Sequence, residues 1–497
     1  MTKTITLAYG DGIGPEIMDS TLQILQHAKA DLNFDIIEVG KNIYEKGFTS
    51  GLMPSAWDSI ENSKVLLKAP ITTPQGGGYK SLNVTMRKKL GLFSNVRPVT
   101  SFYPFVNTKH EKMDIVVIRE NEEDLYTGIE HRQSANSYQC LKIITKQGCE
   151  NIVRYAFEYA IKNNRKKVTC FSKDNIMKMT DGIFHQTFNK IAKQYPEIEN
   201  EHYIIDIATA KVAAKPEIFD VIVTLNLYGD IVSDVVAEIS GSVGLAGSAN
   251  IGKNHAMFEA IHGSAPDIAG QNMANPTGLI QAAIMMLVHI NQCDVANNIR
   301  NALYKTIEDG IHTADIYNDK TSTIKVGTKE FTQAVIENLG QKPSQLPSAN
   351  FQNADPSSIE TTREIPQDEI SEVKTLIGFD LFIDWPNNFD QLLSTLKEME
   401  NETFEVKAIS QKGLLLWPLI DAHMAPNFQD NPVTLRFIGK NISGKSSTKI
   451  TNPEKSITHG NIINMLHILN EKSFDFIKYE GLYHFNGQAG YTAIQGE

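Results

Sequence analysis

Lys3-Thr-Ile-Thr-Leu-Ala-Tyr9-Gly10-Asp-Gly12-Ile-Gly14-Pro15-Glu-Ile17 is the stretch that decides the architecture of this chain. Residues 3–9 alternate apolar and polar side chains like a strand. The three glycines form a tight turn, and Pro15 stands where the first turn of a helix tolerates proline. Ile17, Leu22, Leu25 and Ala28 then recur at helical spacing. Strand, turn and helix in this order open an α/β unit. Position 15 is proline, so the dinucleotide fingerprint G-x-G-x-x-G is not matched, and a tight turn is the plainer reading of the glycines.

The alternation continues outward. Strands are expected at 65–68, 113–118, 167–171 and 219–224, and helices at 151–163, 180–194, 279–291 and 294–309. Residues 341–365, rich in Pro, Ser, Asn and Gln, read as a linker. Beyond it, 376–384, 404–409, 413–417, 432–438 and 475–485 read as strands, and 388–399 and 458–471 as helices. That order predicts a small α+β domain, with 439–453 as an exposed loop.

The 497 residues are 41% hydrophobic and 21% charged, with a formal net charge of -11. This balance disfavours nonspecific binding to nucleic acid or anionic membrane. The four cysteines form no C-x-x-C pair, which suits a reducing compartment. Neither a signal peptide nor an apolar run of ~20 residues is legible, so a cytoplasmic protein is expected.

Several motifs can carry chemistry. Ser81-Leu-Asn83-Val-Thr-Met-Arg87, with Thr73 and Gly76-Gly-Gly78 before it and Arg97 after it, offers hydroxyls, a carboxamide and two guanidiniums suited to carboxylates. Ser81 is a natural cap if a helix opens there; a capped helix with solvated arginines is the bland alternative. Arg119-Glu-Asn-Glu-Glu-Asp-Leu-Tyr126 adds a third guanidinium and a phenol. Lys173 follows a strand. Asp230 and Asp234 share a face if their stretch is helical. With Asp206 they make an oxygen-only set that suits Mg²⁺ or Mn²⁺. The loop His262-Gly263-Ser264-Ala265-Pro-Asp267-Ile268, continuing to Asn275, is rich in small residues that let a nucleotide approach the backbone. Alone, each motif has an ordinary structural reading.

In order and spacing, however, they resemble the β-decarboxylating dehydrogenases acting on isocitrate, 3-isopropylmalate, homoisocitrate and tartrate. The resemblance covers residues 3–340 through Gly10-Asp-Gly-Ile-Gly-Pro-Glu-Ile17, Arg119-Glu-Asn and Asn226-Leu-Tyr-Gly-Asp-Ile-Val-Ser-Asp234. The remainder is similar to the extra domain of longer bacterial isocitrate dehydrogenases. The resemblance implies an α/β fold that is not Rossmann. Residues 1–96 and 241–340 form a large cofactor-binding domain and 97–240 a small substrate and dimerisation domain. After the linker, 366–497 form the C-terminal α+β domain.

It further implies oxidative decarboxylation of isocitrate to 2-oxoglutarate, as in the tricarboxylic acid cycle. The alternatives are homoisocitrate, isopropylmalate or tartrate as substrate, or a non-catalytic regulatory subunit. Thr73, Ser81, Asn83, Arg87, Arg97 and Arg119 would bind substrate. Asp206, Asp230 and Asp234 would hold the metal, and Tyr126 and Lys173 would move protons. The chain would form a homodimer, with Lys173 and Asp206 lent to the partner's site. His262, Gly263, Ser264, Ala265, Asp267, Ile268 and Asn275 would meet the cofactor. Asp267-Ile268 stands where NADP-dependent relatives carry Lys-Tyr, which implies NAD ahead of NADP.

Overall fold

The computed structural model describes residues 2–72, 81–353, 372–385, 387–397, 402–418, 432–440 and 457–494. The expected substrate residue Thr73, the glycines 76–78, the linker residues 354–365, the helix end at 399 and most of the loop 439–453 lie outside them. The chain divides into two compact units, Met1–Thr127 with Lys142–Arg363, and Gly128–Leu141 with Glu364–Glu497.

The first unit opens with β1 (Lys3–Ala8), α1 (Gly14–His27), β2 (Leu32–Ile37), α2 (Lys41–Glu45), α3 (Pro54–Ser63), β3 (Val65–Lys68), α4 (Leu82–Lys89), β4 (Ser94–Thr100) and β5 (Asp114–Glu120). The hairpin β6 (Glu130–Arg132) and β7 (Tyr138–Cys140) belongs to the second unit. The first unit resumes with α5 (Lys146–Lys162), β8 (Lys167–Ser172), α6 (Thr180–Ala192), β9 (Glu199–Ile204), α7 (Ile205–Ala214), β10 (Val221–Thr224) and α8 (Asn226–Ile239). β11 (Gly247–Ile251), β12 (Ala256–Ala260), α9 (Thr277–His289), α10 (Cys293–Glu308), the short pair β13 (Ile311–His312) and β14 (Ile324–Lys325), and α11 (Thr328–Glu337) complete it.

Ten strands form one sheet in the order β2-β1-β3-β12-β11-β4-β5-β10-β8-β9. Both flanks are parallel, whereas β12, β11, β4 and β5 pair antiparallel across the middle. A doubly wound dinucleotide fold lacks this antiparallel centre. The inner flanking strands Val65–Lys68 and Val221–Thr224 are buried along their whole length, as covered parallel strands require, whereas the edge strands β2 and β9 are largely exposed or half-buried. β4 is different, because Pro98 sits inside it. β11 pairs only with Ser94, Asn95 and Val96, so β4 keeps a single partner where the proline stands.

The opening turn is fixed by contact. Gly10 and Gly12 have φ of 67° and 61°. A Cβ on Gly12 would lie 2.0 Å from the Ser264 carbonyl, and one on Gly10 would lie 2.1 Å from the Pro70 carbonyl. Asp11 accepts the backbone N–H of Thr72 at 2.9 Å and that of Lys41 at 3.2 Å. The turn therefore pins three loops together at the carboxyl ends of β1 and β3. Residues 341–353 form no helix or strand, yet Ala349 N and Phe351 N donate to Asn301 Oδ1 and Asn297 Oδ1 of α10 at 2.8 and 2.7 Å.

The second unit contains a six-stranded sheet with the order β17-β16-β18-β15-β19-β20 and antiparallel pairing throughout. Its strands are β15 (Lys374–Asp384), β16 (Phe404–Gln411), β17 (Leu414–Trp417), β18 (Val433–Gly439), β19 (Asp475–Phe485) and β20 (Gln488–Ala489). The helices α12 (Phe389–Lys397) and α13 (His459–Glu471) place Leu392, Leu396, Ile462, Met465 and Leu469 in its core. Among the described residues no helix is long and apolar enough to cross a membrane.

Candidate functional site

The site grows from the antiparallel centre of the sheet. Register pairs Asn95 of β4 with Arg119 of β5. Side chains alternate between faces, so Asn95, Arg97 and Arg119 share one face. Helix α8 lies directly over them. It can do so because residue 229 is glycine: a Cβ there would lie 2.6 Å from Arg119 Cγ. Arg119 Nε donates to Asn226 Oδ1 at 2.9 Å, and its Nη1 pairs with Asp230. Arg97 donates from Nε to Asn95 Oδ1 and from Nη1 to Ser233 Oγ, each at 2.6 Å. It also reaches Asp230 and Asp234 at 3.4 Å. The i, i+4 aspartates do share a helix face, and the arginines offset their repulsion.

Arg87 of α4 completes a triangle of guanidiniums. Its Nη2 pairs with Glu259 Oε1 at 3.2 Å, and Lys68 Nζ holds Glu259 Oε2 at 2.7 Å. Lys68 and Glu259 pair in register across β3 and β12 and are both buried. Neither was singled out as a site residue by sequence. The available signal was a charged residue inside each of two apolar strands, Val65–Lys68 and Ala256–Ala260. Ser81 occupies the cap position of α4, but its hydroxyl makes no capping bond. The expected cap is corrected accordingly: the serine lines the cavity instead.

This cavity, of about 220 Å³, is lined by Ser81, Asn83, Arg87, Arg97, Arg119, Tyr126, Asp230, Glu259 and His262, among others. Buried Asn83 Oδ1, Arg87 Nε, Arg119 Nη2 and His262 Nε2 have no partner within the described chain. Buried polar groups are normally paired, so their concentration here marks a place for a polar ligand.

The electrostatics agree. Burial, then repulsion from Arg97 and Arg87, lowers the Arg119 guanidinium to about 9. Burial also lowers Arg97. Anions entering the cavity would relieve both. Burial pushes Asp230 up, but Arg119 and Arg97 outweigh it and hold the carboxyl below its usual range. Burial raises Asp234, which Arg97 only partly offsets. Tyr126 donates to Asp230 Oδ2, and the Arg119 guanidinium lies 4.8 Å from the centre of its ring. Burial keeps the Tyr126 phenol protonated to a higher pH than usual. Burial lowers His262, so its imidazole is neutral near pH 7.

Lys173 and Asp206 are close to each other, with Nζ and Oδ1 2.5 Å apart, but they do not line this cavity. The remaining loop residues have distinct places. His262 and Gly263 line the cavity. Ser264 is buried, with its carbonyl accepting Ile13 N–H at 2.8 Å and its hydroxyl 2.6 Å from Thr72 Oγ1. Ala265 has φ of 36°. Asn275 Oδ1 accepts Thr277 N–H at 3.0 Å at the start of α9. Asp267 is exposed, while Ile268 packs against the main core.

Asp230 and Asp234 fit a hard divalent cation. They offer oxygen only, adjacent on one helix face, with the Asp234 side chain 64% exposed. Asp206, also 64% exposed, supplies the same chemistry beside Lys173.

Comparison with known proteins places these observations. The sequence model of a family described as "Isocitrate/isopropylmalate dehydrogenase" matches residues 4–335, and that of "Bacterial isocitrate dehydrogenase, C-terminal domain" matches residues 374–497. Similar proteins named "Isocitrate dehydrogenase [NADP]" occur in Rickettsia bellii, 56% identical, and Rickettsia felis, 55% identical; each alignment covers 99% of both chains. The crystal structure of the TT0538 protein from Thermus thermophilus superposes with a TM-score of 0.87 at 36% identity, covering 99% of this chain and 96% of that one.

The two Rickettsia relatives overturn the NAD preference read from Asp267-Ile268, because both are named as NADP enzymes and align over 99% of each chain. The physical reason lies in the loop. Ile268, half-buried, packs against the core while Asp267 is exposed, so the two side chains lie in different surroundings and do not act as one selective pair.

Proposed function

The chain belongs to the isocitrate/isopropylmalate dehydrogenase family and carries the C-terminal domain of bacterial isocitrate dehydrogenases, and from this we propose that it oxidises and decarboxylates isocitrate to 2-oxoglutarate and CO₂ with NADP as hydride acceptor. The observation that carries the substrate is the cavity itself: three guanidiniums, two of them (Arg87 and Arg119) with an unpartnered donor, faced by Asn83 and Ser81, around a volume fit for a small tricarboxylate. An apolar substituent would leave Ser81 and Asn83 unsatisfied, at roughly 1–3 kcal/mol each. The acceptor follows the relatives named for NADP.

In this reading Arg87, Arg97 and Arg119 bind the carboxylates, assisted by Ser81, Asn83 and Thr73. Asp230 and Asp234 hold Mg²⁺ or Mn²⁺ together with Asp206 of the partner subunit. When bound, the ion supplies Lewis-acid stabilisation of negative charge on the reacting oxygen. Lys173 of the partner subunit takes the hydroxyl proton as the C–H hydride leaves for the acceptor. After CO₂ departs, Tyr126, kept protonated by burial, gives its proton to carbon. The loop of His262, Gly263, Ser264, Ala265, Asp267, Ile268 and Asn275 faces the dinucleotide. A homodimer with shared sites is part of the same proposal, and the separation of Lys173 and Asp206 from their own chain's cavity supports it. So is the division of the catalytic region into lobes 1–96/241–340 and 97–240, and a cytoplasmic location.

Calorimetric titration tests the substrate reading. Isocitrate with Mg²⁺ should bind the full chain and bind Arg119→Lys at least about tenfold more weakly, since lysine cannot reproduce the bidentate fork. Equal binding by both proteins would contradict it.

A further inference from the structure

Away from the arginine cavity, three side chains from three elements converge. Asp174 follows β8, His185 sits on α6 and His202 on β9. Both imidazoles face the one carboxylate: His185 Nδ1 is 2.7 Å from Asp174 Oδ2, and His202 Nε2 is 3.9 Å from Asp174 Oδ1. The rings stack with centroids 3.7 Å apart and planes 17° from parallel. Ser172 Oγ lies 2.8 Å from His202 Nε2. All three residues are partly buried, and their ligand atoms lie within 4.8 Å of one another.

Two stacked imidazoles do not both carry a proton at low cost. Burial, then the neighbouring His185, pushes His202 down, which leaves a neutral ring able to donate its lone pair. Burial raises Asp174, but its bond to His185 and the nearby His202 outweigh this and keep the carboxylate ionised. Two imidazole nitrogens and one carboxylate are the donor set of a borderline divalent ion, unlike the oxygen-only set at Asp230 and Asp234. We propose that Asp174, His185 and His202 form a second metal site, for Zn²⁺ or Co²⁺, that ties α6 and β9 to the end of β8. Tetrahedral ligand distances of about 2.0–2.1 Å space neighbouring donors roughly 3.4 Å apart. Side-chain rotations of about 1 Å therefore close the shell, with His202 exchanging its Ser172 contact for the ion and water taking the fourth position.

The test uses EDTA-stripped full-length chain in excess Mg²⁺, which occupies the oxygen ligands. Co²⁺ titration should give a visible d–d band saturating at about one ion per chain, displaced by Zn²⁺. His185→Gln, His202→Gln and Asp174→Asn, each confirmed as folded by circular dichroism, should weaken Co²⁺ by at least about tenfold, as loss of a direct ligand costs no less than loss of its outer support. Asp234→Asn should leave the band unchanged. Should the variants fail to fold, X-ray absorption of the Co²⁺-loaded wild type decides: two imidazoles in the shell support the site, and an all-oxygen shell overturns it. Absence of a band, or variants that bind as wild type does, overturns it as well.

Discussion

Glu259 divides its two carboxylate oxygens between Lys68 Nζ at 2.7 Å and Arg87 Nη2 at 3.2 Å, with all three side chains buried. The glutamate therefore neutralises the floor of the cavity and aims one of its arginines. Burial raises its carboxyl, but Lys68 and Arg87 win and hold it far below the usual carboxylate range.

Glu259→Gln should leave Lys68 buried without a counter-ion. Breaking a buried pair costs about 3–5 kcal/mol, to be read from urea denaturation. KM for isocitrate should also rise as Arg87 loses its orientation. Unchanged stability would show that the pair contributes nothing net.

Tyr126→Phe removes the proposed proton donor while keeping the ring beside Arg119. A general acid typically contributes about 10²–10⁴-fold, so kcat should fall on that scale with KM within about twofold. Steady-state kinetics check this, and unchanged turnover would remove Tyr126 from the mechanism.

Glu120 provides a pH test. Burial raises its carboxyl to about 7, although backbone N–H groups of Glu122 and Glu123 pull it down. A folded value above the unfolded one gives stability that is full below about 4.3 and is lost as pH rises to about 7. Across that window the melting temperature of Glu120→Gln should rise relative to wild type. A constant difference would contradict the assignment.

The long helices and the apolar strands, including central β5, were legible; the edge strands β2 and β9 and the central β4, β11 and β12 were not. β3 matches its expected span, and α6, α9 and α10 lie within two residues of theirs, because unbroken apolar periodicity marks them. No strand was expected at β4 or β11, where Ser94, Asn95, Arg97, Pro98, Ser248 and Asn250 interrupt the pattern. Those polar residues build or brace the site, so function erased the signal that periodicity needs. The arginines, Tyr126 and the Asp230–Asp234 pair were legible as motifs. Lys68 and Glu259 were not, since their meaning appears only when β3 and β12 pair.

Mixed dimers test the shared site. Tyr126→Phe and Lys173→Met should each be nearly inactive. Random mixing in a two-fold dimer puts one intact site in half of the molecules, so co-refolded chains should regain about a quarter of wild-type activity. No recovery would place Lys173 outside a shared site.

The most direct measurement crosses isocitrate, homoisocitrate, 3-isopropylmalate and tartrate with NADP and NAD, with and without Mn²⁺, on EDTA-stripped protein. The account predicts the highest kcat/KM for isocitrate with NADP, dependent on the metal, with one CO₂ released per hydride transferred. Turnover of another acid ahead of isocitrate, or reduction of the acceptor without CO₂, would contradict it.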